Sequence, residues 1–239
     1  MPGSQPVTRI FIDDSEVEER LAELDLTRDA LEEAVRVGEL ERTSATELDP
    51  PSFGGLAGWA LTTRTLREKL LRNGDWSFSN AGNLPLTINA EKKIAIAVLL
   101  GDPGTGDLDK AMAGISPTTK WPKGAELASQ VQVNMKQLPM LFEDRPRLTP
   151  QPRSGEIVTW LLLIYPVFQP DALPGSSVVG SHVAYAELSV PAELDENGFV
   201  TRWLERIILN PVRLDGMPLS KAGPYDRDDS DLDIPVAAR

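Results

Sequence analysis

The chain has 239 residues, of which 41% are apolar and 25% charged, and it carries a formal net charge of −12. This size and balance predict a soluble globular protein with a core of its own, and no apolar run approaches the roughly 20 residues of a membrane helix. With no cysteine and a single histidine, His182, disulfides, thiolate nucleophiles, a Cys/His metal site and a multi-histidine centre are excluded. Carboxylate–magnesium chemistry, lysine or arginine electrostatics, or binding without chemistry remain.

The charge is unevenly spread. Residues 1–50 hold 5 basic and 14 acidic side chains, residues 51–160 hold 13 and 10, and residues 161–239 hold 6 and 12. Acidic ends disfavour nucleic-acid backbones, and the mildly basic middle leaves room for a small patch only. The N-terminus MPGSQPVTRIFIDDSE lacks the basic start and apolar stretch of a secretory signal, which predicts a cytoplasmic protein with no membrane contact.

In chain order, Val7 to Ile12 reads as an edge strand. Ser15-x-x-Glu18 has capping-box spacing, and Val17, Leu21 and Leu24 recur on one helical face. Thr27 caps a second helix with Ala30, Leu31, Ala34 and Val35 inward and Gly38 as its stop. As a helix-turn-helix this pair is a poor match to DNA, because Asp29, Glu32 and Glu33 lie on the would-be recognition helix. Asp49 to Gly58 (DPPSFGGLAG) reads as a loop. A short basic helix follows, capped at Thr65-x-x-Glu68 and stopped by Gly74, with Arg64, Arg67, Lys69 and Arg72 as an anion or partner patch.

Trp76 to Ile88 reads as strand broken at Ala81-Gly82-Asn83, and Asn89 to Lys93 as a polar turn. Ile94 to Leu100 is apolar on both faces, as a central strand covered on both sides must be. Ile157–Val167, Val183–Val190 and Phe199–Leu209 are further strands. Tyr185 and Glu187 mark the second as half-exposed, and the third would also suit a helix. Asn197-Gly198 signals a tight turn between the last two. The predicted fold is therefore α+β: acidic N-terminal helices, then an antiparallel or mixed sheet. Residues 1–50 form an acidic helical segment, residues 51–225 an α+β core forming one compact unit with it, and residues 226–239 a disordered acidic tail.

The loop from Gly101 to Gly124 is where chemistry is expected. Gly101-Asp102-Pro103-Gly104-Thr105-Gly106 resembles the G-P-P-G-T-G-K-T loop of AAA-type ATPases, but Asp107 and Leu108 stand at that family's lysine and hydroxyl positions. A carboxylate there repels phosphate and leucine cannot hold magnesium. Across the loop Thr118, Thr119, Lys120, Trp121 and Lys123 offer hydroxyls, ammonium groups and an indole able to bind an anion or stack a base, with Asp102 and Thr105 opposite. Asp75, Glu91 and Lys93 give a poor version of a metal-dependent nuclease set, since Glu91 falls in a turn. His182 reads as a turn or strand-edge residue, and Trp160 and Trp203 as core. Asp231-Leu232-Asp233-Ile234-Pro235 is similar to the acidic tip of bacterial single-stranded-DNA-binding proteins, without its terminal aromatic.

A broader resemblance rests on Asp49-Pro50-Pro51, Arg64-Thr65-Leu66-Arg67-Glu68, Gly101-Asp102 with Thr105-Gly106, Pro122-Lys123-Gly124, Ala186-Glu187-Leu188-Ser189 with Pro191, and Trp203 with Glu205-Arg206-Ile207. Together these resemble a group of uncharacterised bacterial proteins associated with integrated mobile elements and phage-defence islands. The resemblance implies an accessory role and carries no catalytic residues with it. The leading expectation is a non-enzymatic component that binds another protein through its acidic helices and tail. The alternatives are a phosphate- or nucleotide-handling enzyme or sensor, with Lys120 and Lys123 on phosphate and magnesium at Asp102, and a nucleic-acid binder through Arg64 to Arg72.

Overall fold

The structure is a computed structural model that describes residues 7–136, 157–169 and 181–214. The expected acidic tail, 226–239, lies outside the described residues. The chain begins with strand β1 (Arg9–Phe11) and three helices, α1 (Asp14–Glu23), α2 (Arg28–Ser44) and α3 (Phe53–Leu70). Their apolar spacing places Val17, Leu21, Leu31, Ala34, Val35, Leu66 and Leu70 in one cluster with the sheet. The acidic N-terminal segment thus shares its core with the rest of the fold.

Helix boundaries differ from the sequence expectation in three places, each for a physical reason. Asp13, not Ser15, caps α1, because its Oδ1 accepts from the Ser15 and Glu16 amides at 2.9 and 3.4 Å. Thr27 caps α2 as expected, through the Ala30 amide at 3.2 Å, but the helix runs on through Gly38 to Ser44. α3 takes in Gly54, Gly55 and Gly58 as well as Thr65, so that threonine is a buried mid-helix residue and no cap. Gly38 and Gly58 belong to a helix crossing. A Cβ on Gly38 would overlap Thr62 Oγ1 and come 2.7 Å from the Gly58 carbonyl oxygen, and one on Gly58 would lie 3.1 Å from Arg42 Cβ. Close approach of two helix backbones outweighs the local helix-breaking tendency of glycine.

Beyond α3 a single 3₁₀ turn (Leu71–Asn73) ends at left-handed Gly74. Strands β2 (Trp76–Ser79), β3 (Leu86–Asn89) and β4 (Ile94–Leu100) follow, broken at Ala81–Asn83 and at the polar turn. The loop from Gly101 then leads through α4 (Leu108–Met112) and α5 (Ala125–Lys136), and the sheet resumes with β5 (Val158–Gln169), β6 (Ser181–Leu194), β7 (Val200–Ile208) and β8 (Val212–Leu214). The strands form one mixed sheet in the order β1-β7-β6-β5-β4-β3-β2, with β8 also on β6. β4 and β5 run parallel, as do β1 and β7, and the other pairs are antiparallel. The fold is α+β as expected, and the third apolar run is strand. Gly198, at φ +85°, turns β6 into β7 while Asp195 Oδ1 accepts from the Asn197 and Phe199 amides at 3.0 and 2.8 Å.

The alternation of β4 explains the layering. Ile94, Ile96 and Val98 face the α1–α3 cluster, while Ala97 lies on the opposite face with Leu161, Leu163 and Trp203 beneath Leu127 and Val131 of α5. Helix α5 was not announced by capping residues, yet Leu127, Val131 and Asn134 repeat at helical spacing. Asn134 is buried and holds its helix to two strands: it donates to the Thr159 and Pro191 carbonyls at 2.9 and 3.2 Å and accepts from the Thr159 amide at 2.9 Å. The crossover from β4 to β5 through α4 and α5 lays the 101–124 loop across the sheet.

Two neighbouring glycines should respond oppositely to one added methyl. Gly38→Ala forces the α2–α3 crossing apart and should cost about 1–3 kcal/mol. Gly55→Ala, whose Cβ meets only Arg42 Nη1 at 3.7 Å, should gain up to about 1 kcal/mol. Urea denaturation of the two variants checks both signs.

Candidate functional site

The two ends of the 101–124 loop are closed against each other and against β4 and β5. The Gly101 amide donates to the Ile164 carbonyl (2.9 Å), the Asp102 amide to the Thr118 carbonyl (3.1 Å) and the Lys120 amide to the Leu100 carbonyl (2.9 Å), and Gly101 bridges to Thr119. Inside this closure the amides expected to cradle phosphate are taken. Gly104 N–H donates to Asp102 Oδ1 at 2.9 Å, and Thr105 N–H to the Asp102 carbonyl at 3.0 Å. Asp107, at the ATPase lysine position, caps α4 by accepting from the Lys110 amide at 3.0 Å, and that backbone N–H holds its carboxyl below the usual range. Gly106, at φ +61°, sits so close to β6 that a Cβ would lie 2.6 Å from the Ala186 nitrogen. Its N–H donates to Glu187 Oε2 at 2.8 Å. The anion held by this glycine-rich turn is a side chain of the protein itself.

Glu187 and Arg206 are both fully buried, which overturns the reading of Glu187 as half-exposed; the loop covers that face of β6. Arg206 Nε and Nη2 donate to Glu187 Oε1 and Oε2 at 3.0 and 2.7 Å. Ser189 Oγ donates to Oε1 at 2.7 Å, so with the Gly106 amide the carboxylate accepts four hydrogen bonds, its full complement. Arg206 Nη1 reaches the Ile115 carbonyl at 3.2 Å, and Trp203 Nε1 the Pro117 carbonyl at 2.8 Å. The three contacts at Gly106, Ile115 and Pro117 fix the loop between them on β6 and β7. On the other sheet face Glu205 meets Arg20 of α1, whose Nε and Nη2 donate at 2.5 and 3.1 Å. Burial opposes the Arg20 charge, but Glu205 and then Glu23 outweigh it and hold its pKa above the ordinary value.

The expected binding residues are brought into one loop and do not form one cluster of free groups. Thr105 is fully buried, its Oγ1 without a partner among the described residues and directly against Gly101, where a Cβ would overlap it. Among the described residues Thr118 Oγ1 also has no partner, whereas Thr119 Oγ1 donates to the Trp121 carbonyl at 3.1 Å. Lys120 is exposed, its Nζ 5.3 Å from the ring centroid of half-exposed Trp121. Lys123 donates its amide to the Gly198 carbonyl at 2.8 Å. Its half-buried ammonium has no ion-pair partner among the described residues, and burial lowers its pKa to about 8.

The basic residues of α3 separate. Arg64 pairs with Glu68 at 2.8 Å on the exposed face, Arg72 is exposed and Lys69 half-buried. Arg67 turns to the β2–β3 hairpin, donating to Asn80 Oδ1 (2.9 Å) and the Ser79 and Leu86 carbonyls (3.2 and 3.3 Å) and lying 4.7 Å over the Phe78 ring. Asp75 and Glu91 are exposed. Among the described residues no group of three or more His, Asp or Glu side chains could hold a metal ion. His182 opens β6, opposite Phe168 with ring centroids 5.1 Å apart, and burial lowers its pKa. Trp160 and Trp203 are core residues, as read from the sequence.

Glu187 and Arg206 were missed because both lie in strands that read as apolar. The available signal was Glu187 inside YAELSV and the adjacent Glu205 and Arg206 inside WLERII, where an unpaired charge would be prohibitive. The loop also shows large apolar side chains to solvent: Leu108 (45% exposed), Met112 (64%), Ile115 (52%) and Trp121 (38%).

Glu187→Ala and Arg206→Ala should each cost about 3–5 kcal/mol by stranding a buried charge, and the double variant should cost less than their sum, as denaturant titration of the four proteins can show. Lys123 gives a pH signature. Below about pH 8 the amine is charged in both folded and unfolded chains, and the folded state carries the desolvation cost. Between there and the ordinary lysine value near 10.4 the unfolded chain binds more protons, so stability rises with pH. Lys123→Met should therefore melt above the parent near neutral pH, with the gap closing towards about pH 10. Compared with protein-family models, curated proteins and solved structures, the chain matches none of them.

Proposed function

We propose that this protein is a non-enzymatic, protein-binding component, and that the setting of the proteins it resembles, a bacterial mobile-element or phage-defence system, is its own. The observation that carries the reading is the 108–121 segment. Leu108 and Met112 lie one turn apart on α4, with Ile115 and Trp121 following, all exposed, while buried Glu187, Arg206 and Trp203 fix the backbone beneath them. A fixed loop that keeps apolar side chains in water has the form of a contact surface rather than of a core. The outer face of α1, with Asp14, Glu16, Glu18 and Glu19 exposed, is a second, charged surface on the opposite side of the sheet. It suits a basic partner and steers association rather than supplying affinity.

A nucleotide-handling role has one observation behind it, the Lys120 ammonium stacked on half-exposed Trp121, a pair that a base and a phosphate could share.

A tagged full-length chain, incubated with an extract of the source cells, tests both. The expected result is a stoichiometric protein partner, lost from Leu108→Glu/Met112→Glu at unchanged melting temperature and weakened by rising salt in the Glu16→Lys variant's parent more than in the variant itself. Recovery of a bound nucleotide with no protein partner would overturn the proposal in favour of the Lys120–Trp121 reading.

A further inference from the structure

The exposed 108–121 segment has two arms of different charge. Helix α4 shows Leu108 and Met112 and carries one exposed acid, Asp109. The return arm shows Ile115 and Trp121 and carries Lys120 and Lys123. Of the loop's other charges, Asp102 holds the Gly104 amide at 2.9 Å and Asp107 holds Lys110 at 3.2 Å. Lys120 and Lys123 have no ion-pair partner among the described residues. The return arm is therefore apolar with a cationic rim, in a chain of net charge −12. Such a rim selects an acidic occupant.

The described residues end nearby, at Leu214. β8 pairs with β6 at His182–Ala184, and Gly106 lies against Ala186, two residues further along β6. Leu214, opposite His182, is thus about 14 Å from the Gly106 contact. Val212 and Leu214 pack into the core on the helical side, so exposed Arg213 between them faces the loop-bearing side. The sequence that follows is acidic: Asp226, Asp228, Asp229, Asp231 and Asp233 stand together with one arginine, Arg227. In Asp231-Leu232-Asp233-Ile234 acid and apolar residues alternate. An extended peptide with this pattern carries its apolar side chains on one face and its carboxylates on the other. The connection between residues 214 and 226 extends to about 40 Å, ample to reach the loop.

We propose that residues 226–234 occupy the 108–121 surface of their own chain, and that a partner must displace them. Leu232 and Ile234 lie on the exposed apolar side chains, and Asp231 and Asp233 meet the rim lysines. The inference rests on the reading of this segment as a contact surface and adds its regulation. Attachment to the same chain gives even a weak contact an effective concentration on the order of millimolar. The segment therefore excludes weak partners and yields to a tight one. Until then it also keeps the apolar side chains from unselective contacts.

The test uses the full chain and a carbodiimide, which joins carboxylate to amine with no spacer, and peptide mass spectrometry of the monomer. The reference is Lys92, exposed in the turn at the other end of β4 from the loop. Cross-links from residues 226–233 to Lys120 and Lys123 should exceed those to Lys92 at least about fivefold. They should fall to the Lys92 level in Leu232→Ser/Ile234→Ser, which keeps every carboxylate and leaves the described residues untouched. Equal yields at Lys92, or yields unchanged by that variant, would overturn the proposal. Cross-links found only in covalent dimers would do so too, by giving the surface to a second copy. In capture from source-cell extract the same variant should retain at least about threefold more of the partner than the parent, and equal retention would overturn the masking. A parent and a variant that both capture nothing would sink the proposed function instead, while the cross-links still decide where residues 226–234 lie.

Discussion

The bidentate pair between Glu187 and Arg206 is the constraint on which the sheet's loop-bearing face depends. Two charges with no exposure are tolerated in a protein interior only when each is paired and its remaining hydrogen-bonding capacity is met. Glu187 accepts four hydrogen bonds and Arg206 reaches a third acceptor on the loop. The Gly106 amide and Ile115 carbonyl contribute two of those bonds, so the loop completes the pair and the pair fixes the loop. Remove the loop and the carboxylate loses a donor; remove the carboxylate and the glycine-rich turn loses its anion. This mutual dependence explains why a sequence so rich in glycine, proline and threonine has a single course between Gly101 and Gly124.

The same arrangement accounts for the likeness to a phosphate-binding loop. Glycines that let a backbone approach an anion closely are required whether that anion is a nucleotide or a glutamate, and the sequence pattern does not distinguish them. What distinguishes them is the partner strand, about eighty residues later. Glycine at 106 answers to the Ala186 backbone and the Glu187 carboxylate beside it. Glycine at 101 answers to Thr105, packed against it.

Much of the architecture was legible in the sequence because it is local. The alternation of Ile94–Leu100, the Asn197-Gly198 turn, the Thr27 cap and the break at Ala81–Asn83 each follow from a few adjacent residues. The errors fell where a distant contact outweighed local propensity. Gly38 and Gly58 read as stop and loop because isolated glycine weakens a helix, and the cost is met by a crossing visible only in three dimensions. Glu187 read as half-exposed because alternation alone cannot say what lies over a strand face. The candidate binding residues were read to the right loop, while the groups that organise it, Glu187 and Arg206, stood in strands whose burial gave no hint of charge.

Glu205 and Arg206 are consecutive in β7 and point to opposite faces, Glu205 to Arg20 on the helical side and Arg206 to Glu187 beneath the loop. The irregularity between Val190 and Pro191 in the β6–β7 pairing lets Trp203 still face α5 while this alternation is kept. A slip of β7 by one residue would exchange the two charges between faces. A slip in one direction would set Glu205 against Glu187 under the loop, and a slip in the other would set Arg206 against Arg20 beside α1, each without water. Misregistered pairing is thus opposed in either direction, so two adjacent residues select one alignment for the strand that carries the edge strand β1.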